Sequence, residues 1–156
     1  MMNDWFECKV RYEKTLENGM IKKVTEPYLV DALSFTEAER RFLEEIKPFM
    51  SGEFEVSDIK RAKFAEMFET TDSDADRWFK AKVAFITLDE KSGAEKKTNQ
   101  NMLVQASDLR DAVKRLDKGM EGSMVDYEII SVAETPIMDV FHYQVRSTAS
   151  ADQPEE

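Results

Sequence analysis

The sequence predicts an α+β protein built by internal duplication of a strand–strand–helix–strand–strand (ββαββ) unit. Two helices would pack on one face of an antiparallel sheet, and the copies would be related by a pseudo-twofold axis. The first observation is the motif W-F-x-x-K-V, which begins at Trp5 and returns at Trp78, 73 residues later. The second is that alternating apolar residues in each copy are followed by apolar residues at helical spacing. The third is the placing of turn-forming pairs such as Asn18-Gly19 between these stretches.

Alternation at the start of the first copy predicts a half-buried strand over residues 5–12. Its two faces carry different residue types: Phe6, Cys8, Val10 and Tyr12 on one, Trp5, Glu7, Lys9 and Arg11 on the other. Further along, the pattern predicts a return strand from Ile21 to Val30, a helix capped by Ser34 or Thr36, and a strand over residues 53–59. Residues 63–68 fit helix or strand, and their match to a strand-like stretch in the second copy favours a strand.

The second copy repeats the same order of elements. Its first strand begins at Trp78, and a turn at Ser92-Gly93 precedes the return strand. Its helix is capped by Ser107 or Asp108 and ends at Gly119. Two more strands are predicted, over residues 124–133 and 137–145. Apolar positions shared by the copies, such as Phe6 with Phe79 and Val10 with Val83, are expected to form the core against the helices.

The expected domain organisation follows from the repeats. Residues 5–69 and 78–145 form the two copies, and the short acidic linker 70–77 joins them. A unit of this size is marginal alone, so we expect one compact domain over residues 1–145. Residues 146–156 contain no apolar anchor, which predicts a disordered acidic tail.

Charge and composition limit the possible partners. The net charge of −10 argues against a polyanionic ligand, yet residues 5–68 and 78–141 each carry only −2, because the connecting segments hold the rest. No apolar run approaches the ~20 residues that cross a bilayer, so no membrane partner is expected. Cys8 is the only cysteine, and the N-terminus has no secretory pattern, which predicts a reducing, cytoplasmic location.

Signals for catalysis are weak, and the sequence predicts no enzyme, no cofactor and no metal site. His142 is the only histidine, which excludes a centre made of several histidines. Cys8 lies on the apolar strand face, where a buried thiol is more common than a nucleophile. The five glycines do not form a phosphate-binding loop.

Several polar positions recur in both copies and therefore suggest a binding surface. Lys9 matches Lys82, Lys22-Lys23 matches Lys96-Lys97, and Arg40-Arg41 matches Lys114-Arg115. Alternation places Trp5 with Lys9, and Trp78 with Lys82, on the face opposite the core. An exposed indole with flanking cations can stack bases and hold phosphates. The resulting hypothesis is a single-stranded nucleic-acid platform formed by Trp5, Lys9, Lys22, Lys23, Trp78, Lys82, Lys96 and Lys97.

The recurring residues are also compatible with a purely structural role. The two indoles can pack beneath neighbouring elements, while the lysines only solubilise the sheet. Glu55 and Glu128 also recur, either as an acid pair or as cross-strand partners of lysines. The alternative function is a protein–protein interaction or assembly module, with a protein partner or a homo-oligomer.

Three stretches carry a resemblance to a known family: W-F-E-C-K-V-R-Y-E-K, the hairpin N-G-x-x-K-K, and Y-L-V-D-A-L-S-F-T-E-A-E at the helix entry. They resemble an uncharacterised family of short proteins from Bacteroidetes and their phages, catalogued as a domain of unknown function. The resemblance spans most of residues 4–145 and supplies no catalytic residues. Its association with phages implies a nucleic-acid or replication role rather than metabolism.

Overall fold

The computed structural model describes residues 4–142 and confirms an α+β fold with two helices and two four-stranded, mainly antiparallel sheets. The helices are α1 (Phe35–Ile46) and α2 (Leu109–Gly119). The strands are β1 (Asp4–Thr15), β2 (Ile21–Ala32), β3 (Phe54–Ala62), β4 (Glu66–Phe68), β5 (Arg77–Leu88), β6 (Glu95–Ala106), β7 (Asp126–Glu134) and β8 (Val140–Phe141). The predicted tail, and the predicted end of the last strand over residues 143–145, lie outside the described residues.

The chain divides into two compact units, and each contains one sheet and one helix. The described part of the first unit comprises residues 4–62 and 137–142, and the second comprises residues 63–136. The first sheet has the strand order β3-β1-β2-β8 and the second β4-β6-β5-β7. In each sheet a long antiparallel hairpin forms the centre, with Phe6 opposite Val30 and Phe79 opposite Val104.

Each helix begins with a side-chain cap, and each cap is one of the two residues that the sequence predicts: Ser34 rather than Thr36, and Asp108 rather than Ser107. The Ser34 hydroxyl accepts a hydrogen bond from the Glu37 backbone N–H at 3.1 Å, and Asp108 accepts one from Asp111 at 2.8 Å. In turn, the carboxylates of Glu37 and Asp111 accept hydrogen bonds from the backbone N–H groups of Leu33 and Ser107, the residues just before the caps. These reciprocal capping boxes satisfy N–H groups that lack helical partners.

Each helix covers the apolar face that the alternation predicts. Phe6 and Val10 lie beneath α1 and pack with Phe42 of that helix, and Phe79 and Val83 lie beneath α2. The predicted core positions are therefore confirmed. The faces turned away from the helices also contain buried residues, which are Leu29 in the first sheet and Trp78, Ala84 and Leu103 in the second.

The fourth strand of each sequence repeat joins the sheet of the other repeat. β4 lies in the first repeat but pairs in parallel with β6, and β8 lies in the second but pairs in parallel with β2. In the first repeat's own sheet, the edge beyond β2, which β8 occupies, lies three strand spacings, or about 14 Å, from β3. The residues between Ala62 and Glu66 reach about that far only when fully extended. A segment stretched that far cannot also pass over the ends of β1 and β2. The expectation that the fourth strand of the first repeat pairs within its own sheet is therefore not met.

Burial of Cys8 makes the stability of the fold sensitive to alkaline pH. Burial, assisted by the charge of Glu7, raises the pKa of the Cys8 thiol from 9.0 to about 12. The unfolded chain therefore loses this proton at a lower pH than the folded chain does. Stability from this group is complete below pH 9 and is lost as pH rises towards 12.

We expect the free energy of unfolding to fall above pH 9 by about 1.4 kcal/mol per pH unit from this thiol alone. Urea titrations at a series of alkaline pH values measure the slope. Below pH 9 Cys8→Ala is expected to be less stable than the unmodified protein, and above pH 9 its stability falls with a slope that is shallower by that amount. An identical slope in the two proteins would contradict the shift.

Candidate nucleic-acid interface and an apolar groove

The two indoles predicted to be exposed differ in their surroundings. Trp78 is only 4% exposed, and its backbone carbonyl accepts hydrogen bonds from the N–H and hydroxyl of Thr135, at 2.8 and 2.9 Å. Trp5 is half-buried and meets His142 edge to face, with 5.2 Å between ring centroids. A base cannot stack on a buried ring, so the expectation of an exposed Trp78 is corrected. The first residues of an apolar strand tend to be buried, whether or not lysines flank them.

The predicted lysines of the first unit do not gather around Trp5. Lys9 and Lys23 share its face of the sheet, but Lys22 points to the helix face, because neighbours on a strand alternate. Trp5 pairs with Asp31, whereas Lys23 pairs with Glu13, eight positions along the hairpin. That separation is about 26 Å, too far for one base and its own phosphate.

The second unit divides its lysines in the same way. Lys82 and Lys97 lie on the face of Trp78, and Lys96 lies on the helix face. The Lys97 Nζ donates a hydrogen bond to Glu128 at 3.0 Å, and this carboxylate raises the pKa of Lys97. Part of the predicted positive surface is therefore neutralised within the protein.

The recurrence of Glu55 and Glu128 has the same electrostatic explanation. Glu55 lies 3.8 Å from the guanidinium of Arg11, and Glu128 bonds Lys97. Each glutamate is thus a partner for a cation on its own sheet rather than half of an acid pair. Both ion pairs are exposed, so solvent screens them and they add little to stability.

An apolar groove opens on the helix face of the second unit, beside β4. It has a volume of about 430 Å³, within the usual range for binding pockets. Its apolar lining comes from three strands and the end of α2: Phe68, Phe85, Met102 and Met120. The charged residues that line it are Glu66 and Glu121, both acidic.

The first unit has tyrosines at two of the matching positions. Tyr28 stands where the second unit has Met102, and its ring stacks on Phe141 at 5.5 Å. Tyr12 stands where the second unit has Phe85, and its hydroxyl donates to Glu26 at 2.9 Å. The groove therefore results from a sequence difference between the two copies. Packing of the core that the copies share does not require this difference.

Gly119 forms the part of the groove wall against which Phe68 packs. A Cβ at this position would lie 2.7 Å from two carbons of the Phe68 ring. The first copy has Glu45 at the matching position. Comparison of the copies could have indicated that Phe68 approaches α2 closely, because only the second copy has a glycine at this position. Gly119 taken alone indicates only that the helix ends there.

Gly119→Ala is expected to destabilise the protein by about 1–3 kcal/mol, because the methyl group displaces Phe68. Helix propensity opposes this by favouring alanine by about 1 kcal/mol, so the sign of the change tests the packing. Gly52→Ala is the control, since an added Cβ there meets nothing within 4 Å. Urea denaturation measures both, and stabilisation by Gly119→Ala would show that Phe68 does not pack on α2.

Comparisons with known proteins place the chain in a family without assigning an activity. None of the helices in the described part of the chain is long and apolar enough to cross a membrane. Across residues 4–142, no three His, Cys, Asp or Glu side chains are grouped so that they could hold a metal ion. A search of the curated proteins finds no match. Residues 4–143 match the Domain of unknown function (DUF4494), which covers most of the chain, and the protein therefore belongs to this family.

Proposed function

We propose that this protein is a non-enzymatic protein–protein interaction module, and that the groove of the second unit is its binding site. The observation that carries the proposal is a groove with an aromatic wall and an acidic rim on the second unit, at positions where the first unit has Tyr12 and Tyr28 in place of Phe85 and Met102. Phe68 and Phe85 support it, because these partly buried rings leave aromatic surface that a partner side chain can cover.

Binding of single-stranded nucleic acid is the competing function. Trp5 and Lys9 are the residues through which it would act, and they lie about 13 Å apart on one strand. Burial of Trp78, the ion pair of Lys97 with Glu128, and the net charge of −10 all weigh against it.

The proposal includes the cellular setting. A reducing, cytoplasmic location is supported by the single cysteine, which is buried as a thiol. The range across Bacteroidetes and their phages, and a phage-related role, are supported by the resemblance of the hairpin and helix-entry motifs. An assembly role in that setting requires no catalytic residues.

A random-peptide display selection on the full chain tests the proposed function. Enriched peptides are then titrated by fluorescence anisotropy against the unmodified protein and two variants. Ala65→Trp fills the groove, and Ala94→Trp adds the same side chain in the exposed β5–β6 turn. We expect roughly tenfold weaker binding, or about 1.4 kcal/mol, in Ala65→Trp alone.

Labelled single-stranded DNA and RNA provide the opposing arm of the same experiment. We expect no binding that weakens steeply with salt, the signature of phosphate contacts. Salt-dependent binding that is lost in Trp5→Ala, with no peptide sensitive to Ala65→Trp, would replace the proposed function with nucleic-acid binding.

A further inference from the structure

β6 has an open backbone edge next to the groove. β4 pairs with β6 only from Met102 to Val104, and the Ala65 N–H donates to the Asn101 carbonyl at 2.8 Å. The backbone N–H and C=O groups of successive strand residues point alternately to the two edges of the strand. Those of Lys97 and Asn99 therefore point to the same edge as those of Asn101. Within residues 4–142, no strand pairs with β6 on this side before Asn101.

The open edge and the groove are aligned. Gln100 and Met102 both line the groove, so it lies on the face to which these side chains point. A strand added beside residues 97–100 would continue the line of β4. Every second side chain of that strand would then point into the groove, which is the geometry of strand addition to a sheet edge.

Charge indicates the chemistry of the added strand. Glu66 and Glu121 are the charged residues of the groove lining, and both are exposed. The edge strand carries two lysines: Lys97 is held by Glu128 on the opposite face, and Lys96 lies on the helix face beyond the groove lining. Complementarity therefore favours a basic segment, whose apolar side chains contact the partly exposed Phe85.

We infer that the groove binds an extended, basic segment of a partner protein, which adds as a strand to the β6 edge and inserts a bulky apolar side chain beside Phe85. This inference rests on the proposed function and specifies the partner of the same site. Backbone hydrogen bonds to Lys97 and Asn99 supply affinity, and the acidic rim selects a basic partner.

Three synthetic peptides test the inference on the full chain. The first alternates leucine with lysine and threonine, the second replaces lysine with glutamate, and the third N-methylates alternate backbone nitrogens of the first. Anisotropy should show binding of the first and at least about tenfold weaker binding of the others. Amide spectra should show perturbed signals at Lys97 and Asn99.

A pair of charge-reversed variants separates a local effect from net charge. Glu66→Lys with Glu121→Lys alters the rim, whereas Glu17→Lys with Glu90→Lys makes the same change in net charge at two exposed turns. We expect the rim variant to lose at least about tenfold in affinity for the basic peptide and the turn variant to lose much less.

The outcomes distinguish this inference from the proposed function. Binding that tolerates N-methylation overturns strand addition, and equal binding of basic and acidic peptides overturns the charge argument. If none of the three peptides binds while display-selected peptides still depend on Ala65, the proposed function stands and the inference falls. If no peptide of either kind depends on the groove, both fall.

Discussion

Asp31→Ala is expected to lower the free energy of unfolding by about 3–5 kcal/mol, because it leaves a buried guanidinium without its carboxylate. Arg41 is 5% exposed, and its Nη1 donates a hydrogen bond to the Asp31 carboxylate at 2.8 Å. The same nitrogen also bonds the Asp31 backbone carbonyl. The pair fixes α1 to the end of β2, so its loss also loosens the helix over the first core.

The neighbouring residue on α1 provides the control for this prediction. Arg40 pairs with Glu44 at 3.6 Å, but both side chains are more than half exposed, so Glu44→Ala should change stability by less than about 0.5 kcal/mol. Asp31→Ala with Arg41→Met should recover part of the loss, because no charge remains buried. Urea titrations measure all three proteins. Equal small effects of Asp31→Ala and Glu44→Ala would show that Arg41 remains solvated.

Local patterns were sufficient to predict most elements of this fold. Strict alternation from Phe6 to Tyr12 identified the buried strand face, because period two has one structural solution when one face is apolar. The caps at Ser34 and Asp108 follow from side chains that can bond free helix N–H groups. The duplication resolved residues 63–68, whose own composition fits helix or strand.

The candidate site was harder to predict, because exposure depends on tertiary packing. Nothing local shows that Trp78 is buried while Trp5, in the same motif, is half-exposed. Arg41 recurs as Arg115, which suggested a surface cation, yet its burial depends on the position of Asp31. Separation of Lys22 from Lys23 was deducible, since adjacent strand residues point to opposite faces.

The pairing of β4 with β6 and of β8 with β2, each in the sheet of the other repeat, leads to the second prediction. A fragment of residues 63–136 is expected to fold, and a fragment of residues 69–142, which has the same length, is expected not to. Both contain β5, β6, α2 and β7, and they differ in the short strand that they carry, which is β4 in the first and β8 in the second. Without β4 the second core loses the partly buried Phe68, which packs against it, and removal of a core phenylalanine costs up to about 3–5 kcal/mol.

That loss is comparable to the whole stability of so small a unit, for which a few kcal/mol is typical. Circular dichroism with urea titration should show a cooperative transition in fragment 63–136 and none in fragment 69–142. Light scattering at the same concentration must show monomers, because fragment 69–142 retains Phe141 and two copies could exchange β8. A folded monomer of fragment 69–142 would show that β8 can occupy the β6 edge of its own repeat. The edge would then accept either Phe-bearing strand, and β4 would not be required to complete the second unit.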